Sequence, residues 1–237
     1  MLSRFGVAAR RALFLLPLLG SVAAAQATLG GLTLRGTGAG FNILDNQTNA
    51  SSIVISGFST AIEATPTNQT VAVRLNDLRH TYAGDLTMRV DFASTALAST
   101  ISWTLLARPG LQVVQGGFDD NFLGNYGFGE FDQSNNLFTG DIYDFMAFKT
   151  NGDLPTGDYF AFDGQDYGSP GALFGGLSPN GTWSLSITDA ATGDTGSVGN
   201  WDLAFNVSST VPEPSSVALM AMGIVALAVV GRRRRAS

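Results

Sequence analysis

NGTWSLSITDAATGDTGSVGNWDLAF, residues Asn180 to Phe205, alternates apolar and small polar residues on both sides of a Gly- and Asp-rich centre. Trp183, Leu185 and Ile187 fall on one side of the first half, and Trp201, Leu203, Phe205 and the following Val207 on one side of the second. A period of two puts every second side chain on the same face of a strand, so each half reads as a strand with one buried face and one wet face. Asp189, Asp194 and Asn200 look like turn formers between them, with Gly193 and Gly196 supplying positive φ. The same pattern recurs upstream, in Val71, Val73 and Leu75, in Leu86, Met88, Val90 and Phe92, and in Ile101, Trp103 and Leu105. A further short strand begins within Ser52 to Phe58. No sustained 3.6-residue repeat is found between the two chain ends. The fold class is therefore all-β, an antiparallel β-sandwich, with all three tryptophans packed in its core. Thr28 to Asn49 gives little periodic signal, and Gly30-Gly31 and Gly36-Thr37-Gly38 read as a flexible lead into the domain.

Two segments carry a resemblance. Val73 to Leu86 contains His80-Thr81-Tyr82-Ala83-Gly84-Asp85-Leu86, and Asn180 to Phe205 contains the closing N-G-x-W and W-x-L-x-F elements. Together with Leu105-Leu106-Ala107-Arg108-Pro109-Gly110, they resemble the P domain (Homo B domain) of proprotein convertases and bacterial subtilisin-like proteases. The resemblance implies a jelly-roll sandwich of about eight strands over roughly residues 51–208, without catalytic residues of its own. In those proteases the P domain follows a protease domain and supports its folding. No such domain precedes it in this sequence, so that role is not carried over. Gly116 to Asp166 departs from the family pattern, with Gly-Phe-Asp combinations such as Gly117-Phe118-Asp119 and Phe128-Gly129-Glu130-Phe131-Asp132. Loops at one end of the sandwich are expected there, and a binding role would sit on them.

Both ends read as targeting segments. Residues 1–27 have the layout of a signal peptide: Arg4, Arg10 and Arg11, an apolar run from Ala12 to Gly20, and small residues up to Ala25-Gln26-Ala27. Cleavage falls after Ala27, with Ala23-Ala24-Ala25 as the other candidate site. Residues 28–50 form the flexible segment described above. At the other end, residues 209–214 make a linker with Pro212-Glu213-Pro214, whose prolines keep it extended. Residues 215–231 are apolar and uncharged, a minimal membrane-spanning helix, and residues 232–237 begin with Arg232, Arg233, Arg234 and Arg235. Arginines at that edge stay in the cytoplasm and leave the sandwich outside. This tripartite tail resembles the PEP-CTERM sorting signal of Gram-negative bacteria. The resemblance implies recognition by an exosortase, a membrane-embedded cysteine transpeptidase, and an association with exopolysaccharide production.

Composition limits the chemistry. Between Thr28 and Thr210 stand six basic and eighteen acidic side chains, a net charge of −12. Such a surface repels phosphate backbones, so nucleic acid is excluded as a partner. The chain has no cysteine, which removes disulfides and thiol chemistry. His80 is the sole histidine. It is expected to bond across its turn, with Asp85 receiving backbone N–H groups, rather than to act as a general base. No G-x-S-x-G motif offers a nucleophile. Calcium is the one metal the acids suggest, with Asp119, Asp120, Asp132, Asp163 and Asp166 as candidate ligands. None matches an EF-hand loop, and solvated turn residues that keep a surface protein soluble are the favoured reading of them. Five Asn-x-Ser/Thr triplets are incidental in a bacterial exported chain.

The expected function is that of an exported, non-enzymatic surface or extracellular-matrix protein, with no cofactor. Its partners are signal peptidase and an exosortase during export, the membrane through the C-terminal helix, and exopolysaccharide in a biofilm. The alternatives are a carbohydrate-binding or adhesin module, with or without calcium, and a hydrolase hidden among the carboxylates.

Overall fold

The computed structural model describes residues 27–64, 70–111, 117–130, 142, 152–162 and 169–208. Among these described residues, ten strands fall into two sheets, mostly antiparallel, packed face to face. They are β1 (Thr28–Leu29), β2 (Leu32–Ile43), β3 (Thr48–Ile55), β4 (Val71–His80), β5 (Leu86–Ser94), β6 (Thr100–Ala107), β7 (Phe122–Gly129), β8 (Gly157–Phe160), β9 (Gly181–Asp189) and β10 (Gly196–Phe205). One sheet has the order β1-β2-β10-β4-β7-β8 and the other β3-β9-β5-β6, with β7 and β8 paired parallel. The all-β expectation is met. The predicted signal peptide up to Gln26, the Pro-Glu-Pro linker and the 215–231 span lie outside the described residues. Among the described residues no helix is long and apolar enough to cross a membrane.

The alternating segments become β4, β5, β6, β9 and β10, and their apolar sides meet between the sheets. Trp183 sits at the centre. Its ring stacks on Phe92 at 4.2 Å between centroids and 21° between planes, with Phe174 at 5.0 Å and Phe205 at 6.1 Å. Its Nε1–H donates to the Pro179 carbonyl at 3.1 Å, so the one polar atom of the ring is satisfied. Phe174 arrives on a single helical turn, Pro170–Phe174, capped by Ser169 and opened by proline at its first position. Burial of Trp103, Trp183 and Trp201 follows the expectation for all three.

Two stretches differ from the sequence expectation. The segment expected to be a flexible lead is β2, twelve residues long and hydrogen-bonded to β10 along most of its length. Its inward positions carry glycine where a strand normally carries an apolar side chain. Gly38 lies opposite Trp201, and a Cβ there would stand 2.1 Å from the indole Nε1. At Gly36 a Cβ would stand 2.7 Å from Ile53 Cγ2. The neighbouring strands fill the space, and the hydrophobic alternation disappears from β2 itself. Similarly, Gly196 and Asn200, expected in the turn, lie within β10, where a Cβ on Gly196 would meet the Arg79 carbonyl at 2.0 Å. Gly193 does take the positive φ expected of it, at +121°.

The two ends of the sandwich differ in what they present. Leu34 N–H bonds to Ala27, the Thr33 N–H and hydroxyl both bond to Asn206 Oδ1, and Ser208 N–H bonds to Ala61. Residues 27 and 208 therefore lie at one end. At the other, Gly196 pairs with His80 at the start of β10. Ten residues of β10 separate these ends by about 30 Å.

Candidate functional site

The end remote from Ala27 and Ser208 gathers the polar groups. β4 runs into it with His80, a 3-10 turn at Ala83–Asp85 reverses the chain, and β9 ends there at Asp189. His80 and Asp189 have fully buried side chains, and His80 Nε2 lies 3.2 Å from Asp189 Oδ2. The other ring nitrogen faces the Tyr82 backbone, 3.2 Å from its N–H and 3.0 Å from its carbonyl. With the proton on Nε2, the ring donates to Asp189 and accepts from Tyr82. Asp189 Oδ1 in turn accepts the Ala191 N–H at 3.1 Å. The ring thus bonds across its turn as expected, and it also ties β4 to β9, two strands of opposite sheets. Both nitrogens are held by a carboxylate and by backbone.

The role expected of Asp85 belongs to other acids. Its carboxylate faces Arg108 Nη2 at 3.5 Å, while its backbone carbonyl takes the Ala190 N–H. Arg108, at φ +39°, also donates from Nε to the Gly84 carbonyl at 3.2 Å. At this end Asp189 and Asp45 receive backbone N–H groups, the latter accepting from Gly193 at 3.1 Å and Asp194 at 3.0 Å. The Thr81 hydroxyl donates to Asp194. Burial pushes the Asp85 carboxyl above its ordinary range and the nearby Asp189 charge adds to this, while Arg108 opposes them. Tyr82 is likewise raised, first by burial and then by the charges of Asp85, Asp119 and Asp194.

This arrangement has a pH signature. The folded protein holds the Asp85 proton to higher pH than the unfolded chain does. Stability supplied by the protonated form is present in full below the ordinary carboxylate pKa and is lost as pH rises through the raised value. Asp85→Asn lacks this titration. The Tm of the wild type minus that of Asp85→Asn is therefore expected to fall as pH goes from about 4 to 6. Paired melting curves check it, and a constant or growing difference would contradict it.

Two of the five calcium candidates lie among the described residues. Asp119 and Asp120 lie on the segment whose backbone carbonyls at Phe118 and Asp120 accept Gly84 and Ala83 N–H, with Asp120 fully buried. Asp132, Asp163 and Asp166 lie outside the described residues, as do Ala25, Pro212, Glu213, Pro214 and Arg232 to Arg235. Ala27 is exposed, immediately before β1. Among the described residues no group of three or more potential ligands could hold a metal.

Beside His80 opens a cleft of about 290 Å³, lined among others by Arg79, Thr81, Asn121, Leu123 and Asp153, the last three from the Gly116 to Asp166 segment. Asn121 Nδ2 donates to Asp153 Oδ1 at 3.2 Å, and Arg79 pairs with Asp77 at 2.8 Å. The lining comes from four separate stretches of chain, so no local motif could have revealed it.

Among solved structures, the chain is similar to the serine protease of Aeromonas sobria. In the complex of that protease (ASP) with the chaperone ORF2, the match has 18% identity and covers 72% of this chain and 27% of that chain, at a TM-score of 0.26. The protease alone matches at 17% identity over 70% of this chain and 27% of that chain, at a TM-score of 0.24. The chain thus spans about a quarter of the length of these structures. No curated protein matches it. Residues 210–235, beginning two positions after Ser208, match the PEP-CTERM protein-sorting motif, and by that motif this is an exported protein sorted to the cell envelope by an exosortase.

Proposed function

We propose that the chain delivers a non-enzymatic β-sandwich to the outer surface or exopolysaccharide matrix of a Gram-negative cell. An exosortase-type transpeptidase recognises Pro212-Glu213-Pro214 and removes the helix and the arginines that follow. The observation that carries this reading is the sorting motif at 210–235, which follows in sequence a sandwich whose last described backbone bond is made by Ser208. The enclosure of His80, the sole histidine, supports a structural role for the one side chain suited to general base work near neutral pH. The domain works without a cofactor. Mass spectrometry of surface material from a host with an exosortase is expected to find a mature C-terminus near Pro212 to Pro214. A surface form still carrying Arg232 to Arg235 would overturn the proposal.

The cleft beside His80 favours a second reading, in which the same exported domain binds carbohydrate. Arg79, Asn121 and Asp153 are planar polar groups that suit vicinal hydroxyls, and they stand on the end remote from Ser208. Calorimetry against the producer's polysaccharide, with and without chelator, separates the two readings. Heat that Asn121→Ala abolishes selects the second.

A further inference from the structure

The edges of the two sheets are not equally guarded. β1 is two residues long, and β8 four residues with a charged Asp158. β6 is covered at its end by Phe162, whose N–H bonds to the Leu105 carbonyl. β3 is different. Its eight residues, Thr48-Asn49-Ala50-Ser51-Ser52-Ile53-Val54-Ile55, contain no charge and no proline, and they pair with β9 in unbroken register. Among the described residues its other side has no backbone partner. Protein edges are normally blunted by shortness, charge, proline or a bulge, because an open row of N–H and C=O groups templates another strand. β3 has none of these, and Val54 on it is 74% exposed, the highest value among the exposed large apolar side chains.

The surface beside this edge is also free of net charge. On the outer face of the β3-β9-β5-β6 sheet, Thr48 stands beside Thr188 and Thr87, and Ser52 beside Ser184, Asp91 and Ser102. The Thr48 and Thr188 hydroxyls bond at 2.7 Å, as do those of Ser52 and Ser184. The charges of this face, Arg89 and Asp91, pair with each other at 3.0 Å. Two copies of a domain carrying −12 repel over most approaches, but at β3 that repulsion is absent.

We propose that β3 is a pairing edge, through which two copies of this chain join antiparallel into one continuous sheet. A two-fold axis through such a pair sets the same uncharged strand against itself. It also reverses one copy relative to the other, so the ends bearing Ser208 point in opposite directions. Taken with the anchoring reading above, the pair links copies on facing surfaces or copies already released, and not neighbours rooted side by side.

Sedimentation of the full chain in detergent tests the pairing, independently of where the tail is cut. Over roughly 1 µM to 1 mM the wild type is expected to shift from monomer toward dimer. Val54→Lys, at a solvated position that leaves folding intact, should weaken the dimer at least tenfold, while Leu97→Lys, away from the edge, should not. Because the chain lacks cysteine, single substitutions report geometry cleanly. Thr48→Cys copies mixed with Val54→Cys copies should couple through a short bismaleimide more efficiently than either alone. A wild type monomeric throughout, a dimer indifferent to Val54→Lys, or preferential self-coupling of Thr48→Cys would each overturn the proposal.

Discussion

Trp183→Ala is expected to lower the Tm of the sandwich by about 10 °C or more, the effect of losing roughly 3–5 kcal/mol from a domain of this size. The ring is fully buried and touches aromatic groups from three other places in the chain: Phe92 on β5, Phe174 on the short helix and Phe205 on β10. Truncation leaves a cavity that those rigid rings cannot collapse into. It also strips the Pro179 carbonyl of its donor. Trp183→Phe keeps most of the stacking and is expected to cost less than half as much. Thermal or denaturant unfolding of the two variants checks the order, and equal losses would show that packing around this ring is not what holds the sheets together.

Gly38→Val tests the opposite failure, too much volume rather than too little. The glycine faces the indole of Trp201, and the added Cβ alone would fall 2.4 Å from Cε2 and 2.8 Å from Cδ1. Trp201 cannot swing aside freely, because it is fully buried and its Nε1–H donates to Ser51 Oγ at 2.7 Å. That hydroxyl in turn donates to the Ala39 carbonyl at 2.6 Å, so displacing the ring disturbs β2, β3 and β10 together. A loss of about 3 kcal/mol is expected, at the upper end for overpacking, with a native-like circular dichroism spectrum below the transition. An unchanged Tm would mean that β2 can move off β10 at no cost.

The same glycines explain where the sequence was legible and where it was not. β4, β5, β6, β9 and β10 announce themselves because their own side chains fill the core, so burial is written as a period of two. β2 is filled by its neighbours and carries no such record. β7, Phe122–Gly129, hides its strand among four residues of Gly and Asn, and the turn that delivers Phe174 is too short to show a helical period. At the remote end, the turn containing His80 was visible, but its partner Asp189 lies 109 residues further on. Asp45, which fastens the β9–β10 turn, lies 148 residues before Gly193. Pairings of that separation are set by strand order, which alternation alone does not specify. The sorting tail was legible because it is linear: its recognition depends on adjacent residues and on hydropathy, not on a fold.

That β10 stops at Phe205, and that the hydrogen bond from Ser208 to Ala61 secures the chain just beyond it, bears on how the domain changes hands. A cut beyond that clasp severs no described rung of either sheet and exposes no side chain buried among the described residues. Under the proposed processing at Pro212 to Pro214, release demands no unwinding of the described sandwich, which is a finished object before the cut.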